Sequence, residues 1–170
     1  MSQDENKSPT KARQAETSAR YLAFLLGKEQ YAIPLLHVKE VIEMTEPTPI
    51  PQAPAEFLGI INLRGQVISV IDLRTKLQVM KSPYGPKTAI IILDIDSAIS
   101  VGVVVDRVNS VLAFQHEDIS AAPDTHSTKT GYLTGVARKD KHLTLIIDIK
   151  AALNPAELEN LKRHSPAQAA

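Results

Sequence analysis

All 28 valines and isoleucines of this 170-residue chain lie between Ile33 and Ile149, gathered in short runs. β-branched side chains are stiff at χ1, fit a pleated sheet and crowd a helix. The distribution therefore predicts a β-rich core and argues against a helical bundle. Thr88–Leu93, Ser100–Val105 and Val108–Phe114 read as strands, as do Tyr21–Leu26, Gln30–Pro34, Val67–Leu73, Tyr132–Ala137 and Leu143–Ile149. Leu35–Glu43 fits a strand or a helical turn. Phe57–Leu63 is expected as a short helix and His116–Lys129 as loop. Roughly nine or ten short strands without alternating long helices speak against a doubly wound sheet.

The ends read differently. Residues 1–20 lack large aliphatic side chains beyond Met1 and mix both charge signs. Such a stretch cannot bury enough apolar surface to offset its ordering entropy, and it is expected to be disordered. Residues 165–170 read the same way. Between them, 21–153 forms the folded body and 154–164 a short helix. In that helix Asn154 caps, Pro155 takes the first position and Glu157 completes a capping box, with Leu153, Leu158 and Leu161 as an apolar stripe.

The body contains one pattern twice. VISVIDLRTKL (Val67–Leu77) matches LTLIIDIKAAL (Leu143–Leu153), placing Asp72 on Asp148, Arg74 on Lys150 and Gly59 on Gly135. AIPLLHVKEV (Ala32–Val41) matches GVVVDRVNSV (Gly102–Val111), placing Val38 on Val108. Tyr21–Leu26 is matched to Thr88–Leu93. Order is kept throughout, which predicts a duplicated unit: two small barrels of about five strands packed on each other, closure removing edges that short strands cannot protect. The two Asp residues are expected to cap turns through backbone N–H groups.

Chemistry is scarce. The chain has no Cys, which removes disulfides, thiolate metal sites and thiol nucleophiles. Lys plus Arg equals Asp plus Glu, at 19 each, so charge gives no support for nucleic-acid binding. No apolar run approaches a membrane span, and the first residues do not read as a secretory signal. The expectation is a soluble cytoplasmic protein. The five histidines have no metal-site spacing, and no nucleophile elbow or phosphate loop occurs. An enzyme would have to use His126 in its Ser/Thr-rich loop, or the Asp94 and Asp96 pair, which reads better as a turn. What remains is recognition. FLGIINLRGQVISVIDLR, from Phe57, sets Arg64 beside Gly65 on a tight turn. Arg64 is either a solvated loop charge or the partner of Glu40, a Glu set among Val38, Val41 and Ile42.

At these residues the chain resembles the CheW family of chemotaxis coupling proteins. YLAFLLGKEQYAIPLLHVKEVI, GIINLRG…VIDLR, GVVVDRV and YLTGVARKDKHLTLIIDI carry the resemblance, in order, over about residues 19–153. The chain departs from the family at Pro34, where an acidic residue is frequent, and at Ser69, where many members have Pro. The resemblance implies an all-β fold of two packed five-stranded SH3-like β-barrels, with short helices and a short C-terminal helix. It implies an adaptor without catalysis or cofactor, monomeric when free. Its partners would be the regulatory domain of the histidine kinase CheA and the cytoplasmic tips of methyl-accepting chemoreceptors, with no nucleic acid and no membrane insertion. It would work in the cytoplasm, recruited to membrane-associated receptor arrays. The kinase-binding residues so implied are Val38, Glu40, Gly59, Arg64 and Gly65. The receptor-binding residues are Arg64, Gly102, Val104, Val105 and Val108. A coupler of a pilus-motility or other non-flagellar pathway is the alternative within the same family.

Overall fold

Short β-branched runs separated by turns give eleven strands among the described residues, which in this computed structural model are 18–96, 99–123, 131–153 and 155–163. β1 (Ala19–Leu26) and β2 (Glu29–Pro34) form a hairpin, and a 3-10 turn at Leu35–His37 leads into β3 (Val38–Glu43). Leu35–Glu43 is thus a turn followed by a strand. β4 (Phe57–Leu63) and β5 (Gln66–Asp72) form a second hairpin, closed by α1 (Leu73–Lys76). Then come β6 (Ala89–Asp96), β7 (Ile99–Val105) and β8 (Arg107–Phe114). A 3-10 turn at His116–Asp118 precedes β9 (Ile119–Ala121). β10 (Leu133–Lys139), β11 (His142–Ile147), α2 (Ile149–Ala152) and α3 (Pro155–Arg163) complete the chain.

Two expectations are corrected. Phe57–Leu63 is a strand, not a helix, because every second peptide of the segment finds a partner on β5. His116–Lys129 is not all loop: Ile119–Ala121 pairs with β10. The first strand also begins earlier than the pattern suggested, with Ala19 opposite Phe114. The rest of the leader, His126, Asn154 and the last seven residues lie outside the described residues.

The strands build two mixed sheets. One has six strands in the order β8-β1-β2-β11-β10-β9, the other five in the order β3-β6-β7-β5-β4. Without the short β9 the two orders are the same pattern under the duplication. The register repeats as well. Ser69 lies opposite Val101 in one parallel pair and Leu145 opposite Tyr31 in the other. Single-residue bulges fall at Lys39 and at its counterpart Asn109. They fall again at Leu58 and its counterpart Thr134. Pairing also fixes the match of β1 to β6. Val38 faces Leu93 and Val108 faces Phe24, so Phe24 corresponds to Leu93 and Tyr21 to Ile90, not to Thr88.

Each repeat is divided between the sheets. The first repeat gives β1 and β2 to the six-stranded sheet and β3, β4 and β5 to the other; the second repeat does the reverse. The chain crosses from sheet to sheet at Leu35–His37 and again at Asp106. One core lies between the sheets, with Leu22, Phe24, Ile91, Leu93, Val103 and Val105 among its members. A second, of Ile61, Ile68, Val70, Ile90, Ile92 and Val104, lies on the other face of the five-stranded sheet. β6 thus buries successive residues in different cores, which is why it reads as an unbroken apolar run. A smaller cluster of Phe114, Ala137 and Ile146 serves the six-stranded sheet.

Asp72 and Asp148 cap α1 and α2 as expected. Asp72 accepts from the Arg74 N–H, and Asp148 from those of Lys150 and Ala151. Leu161 of α3 is buried in the core between the sheets, and Lys76 ties the helix down through Glu157.

Candidate interaction surface

β4 passes into β5 through Arg64 and Gly65, whose φ angles are 52° and 85°. Positive φ at both central residues marks the type I′ hairpin turn, whose twist suits the flanking strands. The side chain of Asn62 accepts from the Gly65 N–H at 2.8 Å and braces it. Arg64 projects from this rigid corner and donates through both terminal nitrogens to the two carboxylate oxygens of Glu40, each at 2.9 Å. Arg64 is three-quarters exposed and Glu40 about one-quarter. The hydrogen bonds it donates to Glu40, then the charge of that carboxylate, raise the guanidinium pKa. Such an exposed pair adds little stability, but it fixes geometry.

Glu40 belongs to β3 and Arg64 to the turn that follows β4, and β3 and β4 are the two outer strands of the five-stranded sheet. Their pairing therefore brings opposite sides of the sheet together. Lys39 also reaches Gln66 at 3.4 Å. The stretch after β3 completes the approach: Thr48 and Ile60 exchange backbone hydrogen bonds of 2.8 and 2.9 Å. Gly59 stands beside this bridge with φ 139°, and a Cβ there would lie 2.1 Å from the Thr48 carbonyl oxygen. The position accepts only glycine.

The residues expected to bind a kinase divide into two kinds. Arg64, Gly65 and Glu40 share one corner, whereas the half-buried Val38 packs against the core between the sheets and exposed Val41 lies on the same side of β3 as Val38. Gly59 is buried farther along β4, against the Thr48 backbone. Those expected to bind a receptor are scattered. Arg64 is at the corner and Val108 is half-buried on β8. Gly102, Val104 and Val105 are buried inside β7, and both valines have no exposed surface. They hold up the surface and do not form it.

Sequence reasoning missed the largest buried polar group, Arg74. Its side chain is 2% exposed. It donates to both carboxylate oxygens of Asp72 at 3.0 and 3.1 Å, to Asp106 at 2.8 Å and to the Ser82 carbonyl at 2.7 Å, with the Tyr84 ring 5.0 Å away. Burial alone would lower its pKa; the hydrogen bonds it donates to Asp72 and Asp106, and the charges of those carboxylates, outweigh that and raise it. Asp106 also accepts from the Gly27 N–H, so one cation joins α1, the β7–β8 crossing and the end of β1. The repeated Asp-aliphatic-basic triplet was the available signal.

Among the described residues no three His, Asp or Glu side chains gather as metal ligands, and Asp94 accepts from the Ser100 hydroxyl at 2.7 Å. No helix among them is long and apolar enough to cross a membrane.

A model of the CheW-like domain matches residues 20–157. This chain belongs to the CheW-like family. The chemotaxis protein CheW of Klebsiella aerogenes is 35% identical over 139 residues, covering 81% of this chain and 83% of that one. The CheW of Bacillus subtilis is 31% identical over 140 residues, covering 82% and 89%. The crystal structure of the scaffolding protein TtCheW from Thermoanaerobacter tengcongensis superposes with a TM-score of 0.76 at 30% identity, covering 82% of this chain and 97% of that one. The CheW-like match begins at β1 and ends within α3, so it contains both halves of the duplication and the Arg64 corner.

Proposed function

We propose that this protein is a non-catalytic adaptor that couples the cytoplasmic tips of chemoreceptors to the regulatory domain of the histidine kinase CheA. Each sheet is read as an SH3-like barrel, with the Thr48–Ile60 bridge drawing one of them closed. The observation that carries the proposal is the Glu40–Arg64 clamp at the two-residue turn of a CheW-like chain, on a strand that also carries Val38 and the exposed Val41. A preorganised guanidinium next to aliphatic surface suits a protein partner: apolar contact gives affinity and the fixed charge gives register. Each single contact is expected to be modest, and assembly of many copies in an array raises effective concentration. The adaptor is placed in the cytoplasm, at membrane-associated receptor arrays.

The test is binding by the purified full chain to the kinase regulatory domain and to a receptor-tip hairpin, measured separately by calorimetry. Arg64→Ala is expected to weaken kinase binding and kinase activation in reconstituted arrays while leaving the unfolding midpoint unchanged. Arg64→Lys is expected not to restore it, because an ammonium cannot hold Glu40 through two parallel bonds. Val38→Asp should weaken kinase binding by placing a charge in an apolar contact. Wild-type affinity in folded Val38→Asp and Arg64→Ala would remove this corner from the interface. Absence of binding to either partner at tens of micromolar would remove the adaptor reading itself.

A further inference from the structure

We propose that the leader of this chain docks, through Lys7-Ser8-Pro9, into a groove beside α2. The argument comes from the two halves of the duplication. In one half, the segment that precedes β6 lies across α1. Lys81 Nζ sits 3.9 Å from the Asp72 carboxylate, Arg74 donates to the Ser82 carbonyl, and Tyr84 covers the guanidinium. Under that cover Asp72, Arg74 and Leu26 are almost wholly buried.

The other half has the same parts without the cover. Asp148 corresponds to Asp72, Lys150 to Arg74 and Ile95 to Leu26. Asp148 and Lys150 are exposed and Ile95 is half-exposed. Together with Pro34, His37 and Asp94 they line a groove of about 350 Å³. Among the described residues the chain after α2 does not return here; it runs into α3, whose Leu161 lines a different cavity beside Phe57 and Ile71.

The segment standing to β1 as the cover stands to β6 is the leader. It carries the same triplet: Lys7-Ser8-Pro9 repeats Lys81-Ser82-Pro83, and Lys-Ser-Pro occurs nowhere else in the chain. It also arrives at the right place. Tyr21 of β1 lies opposite Pro34, a residue of the groove wall. The ten residues from Pro9 to Ser18 can span up to ~30 Å when extended. Charge agrees, since Lys7 would face Asp148 and Asp94 as Lys81 faces Asp72, while Lys150 would donate to the Ser8 carbonyl as Arg74 does to that of Ser82.

The chain has no native Cys, so Thr10→Cys gives a single attachment point for a spin label just beyond the triplet. In isotope-enriched full-length protein, the label is expected to broaden the amide resonances of Asp94, Ile95 and Lys150. Adding Lys7→Glu should remove most of that broadening while the rest of the spectrum stays unchanged. Equal broadening with and without Lys7→Glu is what tethering alone gives, and it would overturn the proposal. Broadening that passes from labelled, unenriched chains to unlabelled, enriched ones would assign the groove to a second copy and overturn it as well.

Discussion

Replacing Gly59 by Ala separates a residue that touches a partner from one that shapes the surface. The new Cβ would sit 2.1 Å from the Thr48 carbonyl oxygen and 2.6 Å from its carbon. A carbon and a carbonyl oxygen approach no closer than about 3.3 Å even in favourable C–H···O contacts. The strand or the Thr48 segment must therefore move by about 1 Å. That movement breaks the reciprocal Thr48–Ile60 pair, at about 1 kcal/mol for each of its two hydrogen bonds. Alanine must also adopt φ near 139°, a sparsely populated conformation costing about 1–3 kcal/mol. The sum is about 3–5 kcal/mol, a large part of the stability of an ordinary domain. Gly65→Ala is the control: φ is 85°, but a Cβ there meets nothing within 4 Å, so only a backbone cost of about 1 kcal/mol is expected. Urea unfolding of both variants measures the difference. Gly59→Ala should shift the midpoint far more at an unchanged slope, and should lose kinase binding in step with the lost bridge. A Gly59→Ala cost below that of Gly65→Ala would refute the argument.

Arg74→Met should destabilise the fold by about 3–5 kcal/mol, because it leaves Asp72 and Asp106 without their shared cation; equilibrium unfolding checks this, and a cost under about 1 kcal/mol would contradict it. The Tyr31 pKa is raised, first by burial and then by Tyr132 and Glu29. Its contribution is therefore complete below the ordinary value of 10.0 and is lost as pH rises through the higher folded-state value. Stability should fall above about pH 10, and less steeply in Tyr31→Phe, as midpoints across pH 8 to 11 would show.

What could be read from the letters depended on which physical constraint they record. Val/Ile runs record burial, so most of the strands and the β-rich core were legible. Asp72 and Asp148 record local capping, which repeats with the helices they start. The match of β1 to β6 was off by two residues because side chains alternate with period two. A two-residue slip keeps every side chain on its own face, and only backbone pairing resolves it. Phe57–Leu63 misled because Gly59 and the apolar neighbours around it fit either period. The Glu40–Arg64 pair was proposed on residue type, although the two are 24 positions apart. Arg74 escaped because its partners Asp106 and Ser82 come from other segments. The burial of Val104 and Val105 escaped for a related reason: a valine on a central strand looks the same in sequence whether it meets solvent or core.

The exchange of strands between the two repeats has a consequence for how such a chain is held together. Cut in the segment between α1 and β6, it would yield two fragments, each holding part of both sheets and completing neither. Neither fragment would hold all the strands of either sheet, yet the two together would satisfy every strand. Two identical copies of a single repeat with this plan would complete both sheets by trading their first two strands, a partnership that one continuous chain makes permanent.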